Sequence, residues 1–266
     1  MTVIQALILG IIQGLTELLP ISSSAHLKLI PWIFNWEIPE SFDVALHIGT
    51  LLAITIFFFK DWINLVKGGY KQVVKKEKST EGKLFWYIVA VTIPTGILSL
   101  VLDKFSNFIC EKFGIEIILI AIALIVLGIV LYLVDKKSAS EVKLEDITFK
   151  QSFLIGISQA IAAAFPGTSR SGITMTVARA LKVERESAAR YSFLLSTPII
   201  LAAVLVSITE FKFTLAFFVG VLASFIVGML VIKFLLEYLK KGSFKGFAIY
   251  RVIIGVIVLI CSFIIR

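Results

Sequence analysis

Long apolar runs alternate with short polar connectors along almost the whole chain. Six of the runs are long enough to cross a bilayer as helices, because roughly 20 apolar residues span the hydrocarbon core. They occupy residues 43–66, 83–103, 115–134, 187–207, 213–236 and 246–265. The pattern predicts an all-α, polytopic integral membrane protein with six spanning helices.

Two further apolar stretches are each interrupted by a proline, Pro20 or Pro166. The half-length pairs are 1–19 with 22–34, and 151–165 with 169–181. Each half is too short to span, so each pair predicts a re-entrant helix–loop–helix hairpin. Their tips are rich in Ser, Gly and Thr, and non-helical backbone is stable at membrane depth only inside protein or beside a polar cavity.

The two hairpins repeat one pattern at an offset of 146 residues. The matching positions are Gln13 with Gln159, Pro20 with Pro166, and Ser23 with Ser169. The first hairpin enters the membrane from one face, and the three spans that follow carry the chain to the other face, from which the second hairpin enters. The two copies therefore have opposite orientations in the membrane. We therefore predict one membrane domain, 1–266, built from two inverted-topology repeats, 1–134 and 150–266.

Composition agrees with a membrane protein, since 58% of residues are hydrophobic and only 17% are charged. The net charge of +8 does not indicate nucleic-acid binding, because the lysines gather in short connectors between apolar runs. Connectors on one predicted face hold Lys67, Lys71, Lys75, Lys76, Lys78, Lys136, Lys137, Lys143, Lys240, Lys241 and Lys245, and the other face holds Lys104, Lys112 and Lys212. By the positive-inside rule we expect the lysine-rich face to be cytoplasmic and both termini to lie outside.

The first hairpin carries groups for acid–base chemistry. Gln13 and Glu17 are one helical turn apart, and His26 follows Ser23 by three residues. These side chains suit either a nucleophile with its base, or a water-activating base with a metal ligand. Serines after a proline also cap helices, which is the competing interpretation for Ser22 and Ser24. An ionisable side chain in an apolar segment, in contrast, indicates function, so Glu17 is the stronger candidate.

The second hairpin has the composition of an anion-binding loop, Gly167-Thr168-Ser169-Arg170-Ser171. Glycine allows close backbone approach, the hydroxyls donate hydrogen bonds, and the guanidinium fork matches phosphate oxygens. The competing interpretation is that Arg170 only neutralises Glu17 across the repeat interface. Asp43, His47 and Arg190, in the spans that follow the hairpins, are predicted to support the site, with Asp43 and His47 as a hydrogen-bonded pair.

Four separated motifs resemble those of the bacterial undecaprenyl-diphosphatase family, also called the bacitracin-resistance protein family. They are Gln-x-x-x-Glu at 13–17, Leu-Pro-Ile-Ser-Ser-Ser-Ala-His at 19–26, Phe-Asp-x-x-x-His-x-Gly-Thr at 42–50 and Pro-Gly-Thr-Ser-Arg-Ser-Gly at 166–172. The resemblance covers nearly the whole chain. It departs from many members at Gln13, where they have glutamate, so Glu17 would provide the carboxylate chemistry alone.

The resemblance implies removal of the terminal phosphate from undecaprenyl diphosphate, with Mg²⁺ or Ca²⁺ assisting. This activity recycles the lipid carrier for peptidoglycan synthesis and confers bacitracin resistance. The implied catalytic residues are Glu17, Ser23, His26 and Arg170, with Glu17 and Gln13 as metal ligands. Phosphate-binding residues would be Gln13, Ser24, Gly167, Thr168, Ser169, Arg170 and Ser171.

Further expectations concern location and partners. We expect a multi-pass protein of the bacterial inner membrane whose active site opens outward, and whose partners are undecaprenyl diphosphate and membrane lipid, with no nucleic acid. A homodimer is left open. Inverted repeats with broken helices are also how secondary transporters are built, so a lipid-phosphate flippase or an anion transporter is the alternative function.

Overall fold

The computed structural model describes residues 1–264 and confirms the all-helical fold. These residues form twelve α-helices and two 3₁₀ turns, and β-structure among them is limited to an isolated bridge between Val142 and Val183. The helices are α1 Val3–Thr16, α2 Ser23–Phe34, α3 Glu40–Phe57, α4 Phe59–Val74, α5 Thr80–Phe113, α6 Glu116–Lys137, α7 Phe149–Ile157, α8 Gln159–Ala164, α9 Arg170–Ala180, α10 Arg185–Ser207, α11 Leu215–Leu239 and α12 Lys245–Ile264.

Six helices are long and apolar enough to cross a membrane, which confirms the predicted number of spans. They are α3, α5, α6, α10 with the 3₁₀ turn that follows it, α11 and α12. The last predicted span, 246–265, ends at Ile265, which lies outside the described residues.

The first predicted span, 43–66, is wrong as a single helix. The chain leaves helical geometry at Phe58, with φ −96° and ψ 21°, so that α3 ends before it and α4 begins after it. Phe57, Phe58 and Phe59 are all apolar, so hydropathy does not mark the break itself, but Lys60 and Asp61 end the apolar run directly after it. The following turns carry lysines at helical spacing, which makes α4 amphipathic.

The second predicted span, 83–103, is too short. Helix α5 has 34 residues and ends only at Gly114, which adopts the left-handed conformation with φ 61°. Asp103 and the polar residues after it continue the helix, because no glycine or proline stops it earlier than Gly114 and Pro94 is accommodated inside it. At 1.5 Å per residue α5 is about 51 Å long, well beyond the hydrocarbon thickness.

The helix ends cluster on two opposite faces. On the first face, Lys28 lies 4.0 Å from Glu40 and 3.7 Å from Glu116, which joins α2 to the starts of α3 and α6. On the second face, Asp135 near the end of α6 binds Arg179 at the end of α9. The lysine-rich connectors between α4 and α5, between α6 and α7, and between α11 and α12 belong to this second face.

The first arm of each hairpin packs against a span from the other half of the chain. Helix α1 lies against α11, where Gly10 faces the backbone of Gly220. Helices α7 and α8 lie against α5, where Gly156 faces Val91. Small residues at these contacts let the helices approach closely. The packing of each hairpin against a span of the other half is compatible with inverted repeats 1–134 and 150–266, which stay a prediction.

Both hairpins begin with the same local structure. Thr2 caps α1 and Thr148 caps α7, each in a capping box completed by the glutamine three residues later, Gln5 or Gln151. The offset between the two boxes is the 146 residues seen in the sequence. The copies differ further along, since α1 continues to Thr16 whereas its counterpart breaks at Ser158.

Candidate active site

Each hairpin turns at a serine in the left-handed region of backbone conformation. Ser22 has φ 78° and Ser169 has φ 70°. The Ser22 hydroxyl accepts the Ala25 N–H at 3.3 Å, and the Ser169 hydroxyl accepts the Gly172 N–H at 3.0 Å. These serines are the N-caps of α2 and α9, so both tips present the first amides of a helix to the interior.

The predicted match of Ser23 with Ser169 is wrong by one position. Ser22 is the counterpart of Ser169 by backbone angles and capping bond, because the second loop has one more residue between its proline and its cap. That loop turns at Gly167, whose φ is 83° and where a side chain would meet the backbone of Ile120. Ser23 therefore occupies the place of Arg170, and the two copies contribute different chemistry there.

The carboxylate of Glu17 is the centre of the site and is 7% exposed. Its Oε2 accepts the Ser23 hydroxyl at 2.5 Å and the Gln13 side-chain amide at 3.3 Å. Three of the residues predicted from sequence thus meet at one carboxylate oxygen. Since the hydroxyl already donates to it, Glu17 is placed to take the proton of Ser23.

His47 also faces this carboxylate, with Nε2 3.3 Å from Glu17 Oε2. Its Nδ1 lies 2.8 Å from the backbone oxygen of Asp43, so the predicted contact with Asp43 involves the main chain and not the carboxyl group. Both contacts are to acceptors, and an imidazole satisfies two acceptors only when both nitrogens are protonated. The carboxylate beside Nε2 therefore favours the protonated form of His47.

The second hairpin brings Arg170 to the other oxygen of the same carboxylate, with Nη2 3.8 Å from Glu17 Oε1. The Arg170 side chain is 24% exposed, which leaves guanidinium donors free to bind an incoming anion. The hairpins are tied directly as well, since the Ser171 hydroxyl donates to the backbone oxygens of Glu17 at 3.0 Å and Leu19 at 3.3 Å. Charge pairing with Glu17 and anion binding are thus compatible roles for Arg170.

His26, predicted as a base for Ser23 or a water, forms its hydrogen bonds with other groups than the Ser23 hydroxyl. Its Nδ1 lies 2.6 Å from the backbone oxygen of Ser22, and its Nε2 lies 2.8 Å from the hydroxyl of Tyr250 on α12. Both ring nitrogens are engaged away from the Ser23 hydroxyl. The geometry selects Glu17, among the two bases suggested by the sequence, as the partner of Ser23.

Arg251 is a site residue that the sequence analysis missed. Its side chain is 1% exposed and donates to backbone oxygens of both tips, to Pro20 at 3.4 Å, Gly167 at 3.4 Å and Thr168 at 2.9 Å. It therefore holds the two hairpins in register from a third element, α12. A signal was present in the sequence, because an arginine inside an apolar span is costly unless it has a function or a partner.

The site carries a surplus of positive charge. Arg170 and His47 lie beside the carboxylate of Glu17, and Arg251 donates to backbone oxygens of both tips. Helix N-termini at Ser22 and Ser169 add partial positive charge. Such a centre favours an anion with more than one negative charge, which a diphosphate provides.

The other predicted residues fall into two groups. Near the tips, the Thr168 hydroxyl is buried without a partner among the described residues, and Ser24 is exposed with its hydroxyl 3.2 Å from that of Ser22. Farther away, Arg190 binds Asp61 at 2.9 Å and so joins α10 to α4 instead of contacting Glu17. Phosphate binding by Ser24, Gly167, Thr168, Ser169 and Ser171 stays a prediction.

The residues present could hold a divalent cation only if a bound substrate supplied further oxygen ligands. Among residues 1–264 no group of three or more His, Cys, Asp or Glu side chains is arranged to hold a metal ion. Gln13 nevertheless has a buried Oε1 without a partner, one turn from the Glu17 carboxylate. One carboxylate and one amide oxygen match the sparse protein ligation of Mg²⁺, which takes further ligands from phosphates and water.

The fold and the site together define a class. The chain is a multi-pass helical membrane protein in which a carboxylate–serine pair and a guanidinium meet in a buried polar centre. The family model described as "Bacitracin resistance protein BacA" matches residues 6–257. The chain belongs to this family.

Curated relatives agree over nearly their full length. An undecaprenyl-diphosphatase of Pelotomaculum thermopropionicum is 47% identical, with 98% of this chain and 97% of the relative covered. The undecaprenyl-diphosphatase of Caldicellulosiruptor bescii is 46% identical, with 97% of each chain covered. The undecaprenyl-diphosphatase of Methanosphaera stadtmanae is 40% identical, with 98% of each chain covered.

Proposed function

We propose that the protein hydrolyses undecaprenyl diphosphate to undecaprenyl phosphate and inorganic phosphate. The observation that carries this proposal is the Ser23 hydroxyl held 2.5 Å from Glu17 Oε2, with Arg170 on the same carboxylate. Nucleophile, base and anion-binding group are the parts that phosphoryl transfer needs in one place. Family membership and the names of the relatives support the same substrate.

The geometry supports attack by Ser23 on the terminal phosphorus. Glu17 takes the hydroxyl proton as Ser23 Oγ forms a bond to phosphorus, and the bond to the bridging oxygen breaks to release undecaprenyl phosphate. Water then attacks the phosphoserine phosphorus. Glu17 returns its proton to Ser23 Oγ as the Oγ–P bond breaks, and the proton of the water leaves with the inorganic phosphate. Arg170 and the helix N-termini stabilise the charge on the transferred phosphoryl group.

A divalent cation such as Mg²⁺ or Ca²⁺, when bound, would neutralise part of the diphosphate charge. Glu17 Oε1 and the unpartnered Gln13 Oε1 are the oxygens that would hold it. The isoprenoid chain would lie in the surrounding lipid, which the exposed apolar surfaces of the spans suit. Because the substrate carries this long apolar chain, it stays in the bilayer, and the enzyme that acts on it is a membrane protein.

Phosphate release tests this function directly. Purified protein in detergent, given undecaprenyl diphosphate and Mg²⁺, should release one inorganic phosphate for each undecaprenyl phosphate formed. A lipid-phosphate flippase would bind the same lipid and return it intact. Substrate recovered unchanged by a folded, monodisperse preparation would contradict the hydrolase assignment and favour the transporter alternative.

We also propose that the lysine-poor face is external and that the site opens towards it. The first hairpin enters from this face, where Lys28 of α2 pairs with Glu40 and Glu116 at the starts of α3 and α6. Three lysine-rich connectors lie on the opposite face, as cytoplasmic loops do. An outward opening would let the enzyme meet carrier lipid released after its sugar cargo has been used outside.

Single cysteines test this orientation. In a background without Cys110 and Cys261, we expect Ser41→Cys to react with an impermeant thiol reagent in intact cells and Lys78→Cys to react only after lysis. Lys78 is the better probe than its neighbour Ser79, because the Ser79 side chain caps α5. Labelling of Lys78→Cys but not of Ser41→Cys in intact cells would reverse the topology.

A further inference from the structure

We propose, resting on the function proposed above, that Tyr250 is a positioning residue that holds His26 in its working tautomer and orientation. The hydroxyl of Tyr250 lies 2.8 Å from His26 Nε2, and the two rings are stacked with centroids 5.7 Å apart and an interplanar angle of 10°. The contact joins residues 224 positions apart. It makes α12 a third contributor to the site besides the two hairpins.

The hydrogen bonds of the ring define the tautomer. The backbone oxygen of Ser22, 2.6 Å from Nδ1, can only accept, so Nδ1 of His26 carries a proton and donates. In the neutral ring Nε2 then carries a lone pair, and the Tyr250 hydroxyl is the donor to it. In this neutral tautomer His26 is an acceptor at Nε2.

The position of the tyrosine is itself fixed. Arg251, the next residue, is buried and anchored to the backbone oxygens of both hairpin tips. Tyr250 is 39% exposed, and its hydroxyl occupies the Nε2 lone pair, so the imidazole is held in one orientation at an accessible edge of the site. Loss of that hydroxyl frees the imidazole to rotate about its side-chain bonds and to change tautomer.

Removing the hydroxyl alone is the informative substitution. Tyr250→Phe keeps the stacked ring, and we expect it to lower kcat about tenfold while KM changes less than about twofold, as for a group that orients a reacting side chain. Tyr238→Phe is the matched control. Tyr238 is also stacked on a ring, Phe234, is 37% exposed, and donates its hydroxyl to the backbone oxygen of Ser243 at 3.1 Å, on the lysine-rich face away from the tips.

A double-mutant cycle separates positioning from general structure. If Tyr250 acts through His26, Tyr250→Phe should have no further effect on kcat in a His26→Ala background. An undiminished tenfold loss in that background would overturn the proposal, because the hydroxyl would then act on something else. A Tyr250→Phe enzyme as fast as the parent would overturn it as well.

A spectroscopic measurement keeps this inference distinct from the proposed function. The chain has two histidines, so ¹⁵N imidazole spectra in detergent are assigned with one His26→Gln sample. We expect the parent to show His26 protonated at Nδ1, and Tyr250→Phe to move the Nε2 resonance towards that of a free lone pair. No phosphate release by the parent would defeat the hydrolase assignment alone, whereas an Nε2 signal that Tyr250→Phe leaves unmoved would defeat the positioning role alone.

Discussion

Replacing Glu17 by Gln is expected to lower turnover of undecaprenyl diphosphate by about 10²-fold or more, the effect of losing an acid–base group. Glutamine keeps the size of the side chain and can still bond Ser23, but it cannot take the proton of the hydroxyl 2.5 Å away. Initial rates of phosphate release at saturating substrate measure the effect.

The same substitution should also reduce thermal stability, because it leaves the cations His47 and Arg170 facing an uncharged amide. Rates are therefore compared below the unfolding temperature, on protein with an unchanged elution profile in detergent. Glu116→Gln is the control, since Glu116 also pairs with a cation, Lys28 at 3.7 Å, but lies at the lysine-poor end of α6. Parent-like turnover by Glu17→Gln would end its role as the base.

Arg170→Ala is expected to reduce kcat/KM by about 10²-fold to 10³-fold, the scale of losing a donor to developing charge. Arg170→Lys should recover less than about a tenth of the loss, because an ammonium cannot grip two phosphate oxygens with a planar fork. Glu17 Oε1 lies 3.8 Å from one end of this fork, so the remaining donors are directed elsewhere in the site.

A matched arginine controls for packing effects. Arg190 is 33% exposed against 24% for Arg170, and it also binds a carboxylate, Asp61, at 2.9 Å. Arg190→Lys should leave kcat/KM close to that of the parent, because this ion pair joins α10 to α4 and not to the tips. If Arg170→Lys is equally active, the forked clamp is not needed and Arg170 serves as a counter-ion of Glu17.

Local spacing predicted the groups that lie close together in sequence. Glu17 and Ser23 are six residues apart across one turn, so a motif contains both, and the glycine-flanked Arg170 identifies its own loop. Hydropathy found six spans because apolar length is a property of a continuous segment. It did not place the break at Phe58, because the apolar run continues through Phe59 and becomes polar only at Lys60 and Asp61.

Contacts between distant helices were beyond these rules. His47 reaches Glu17 because α3 packs beside α1. The spacing of Asp43 and His47 within α3 does not indicate that His47 contacts a residue of the first hairpin. His26 lies at the right spacing for Ser23 but turns to α12, whose Tyr250 offers a donor that the local motif does not contain. Tertiary packing thus places Glu17, the stronger candidate from the sequence, beside Ser23 and turns His26 away.

The anchoring by Arg251 also bears on how the protein is made. Its guanidinium binds the backbone oxygen of Pro20 across 231 residues and that of Thr168 across 83 residues. Chains are synthesised from the amino terminus, so both hairpins leave the ribosome well before the side chain that joins them. During that interval the tips lack the guanidinium of Arg251 and the anchor that it provides. The site is therefore complete only late in biogenesis, when α12 enters the bilayer. Nascent chains that end before α12 are expected to be inactive.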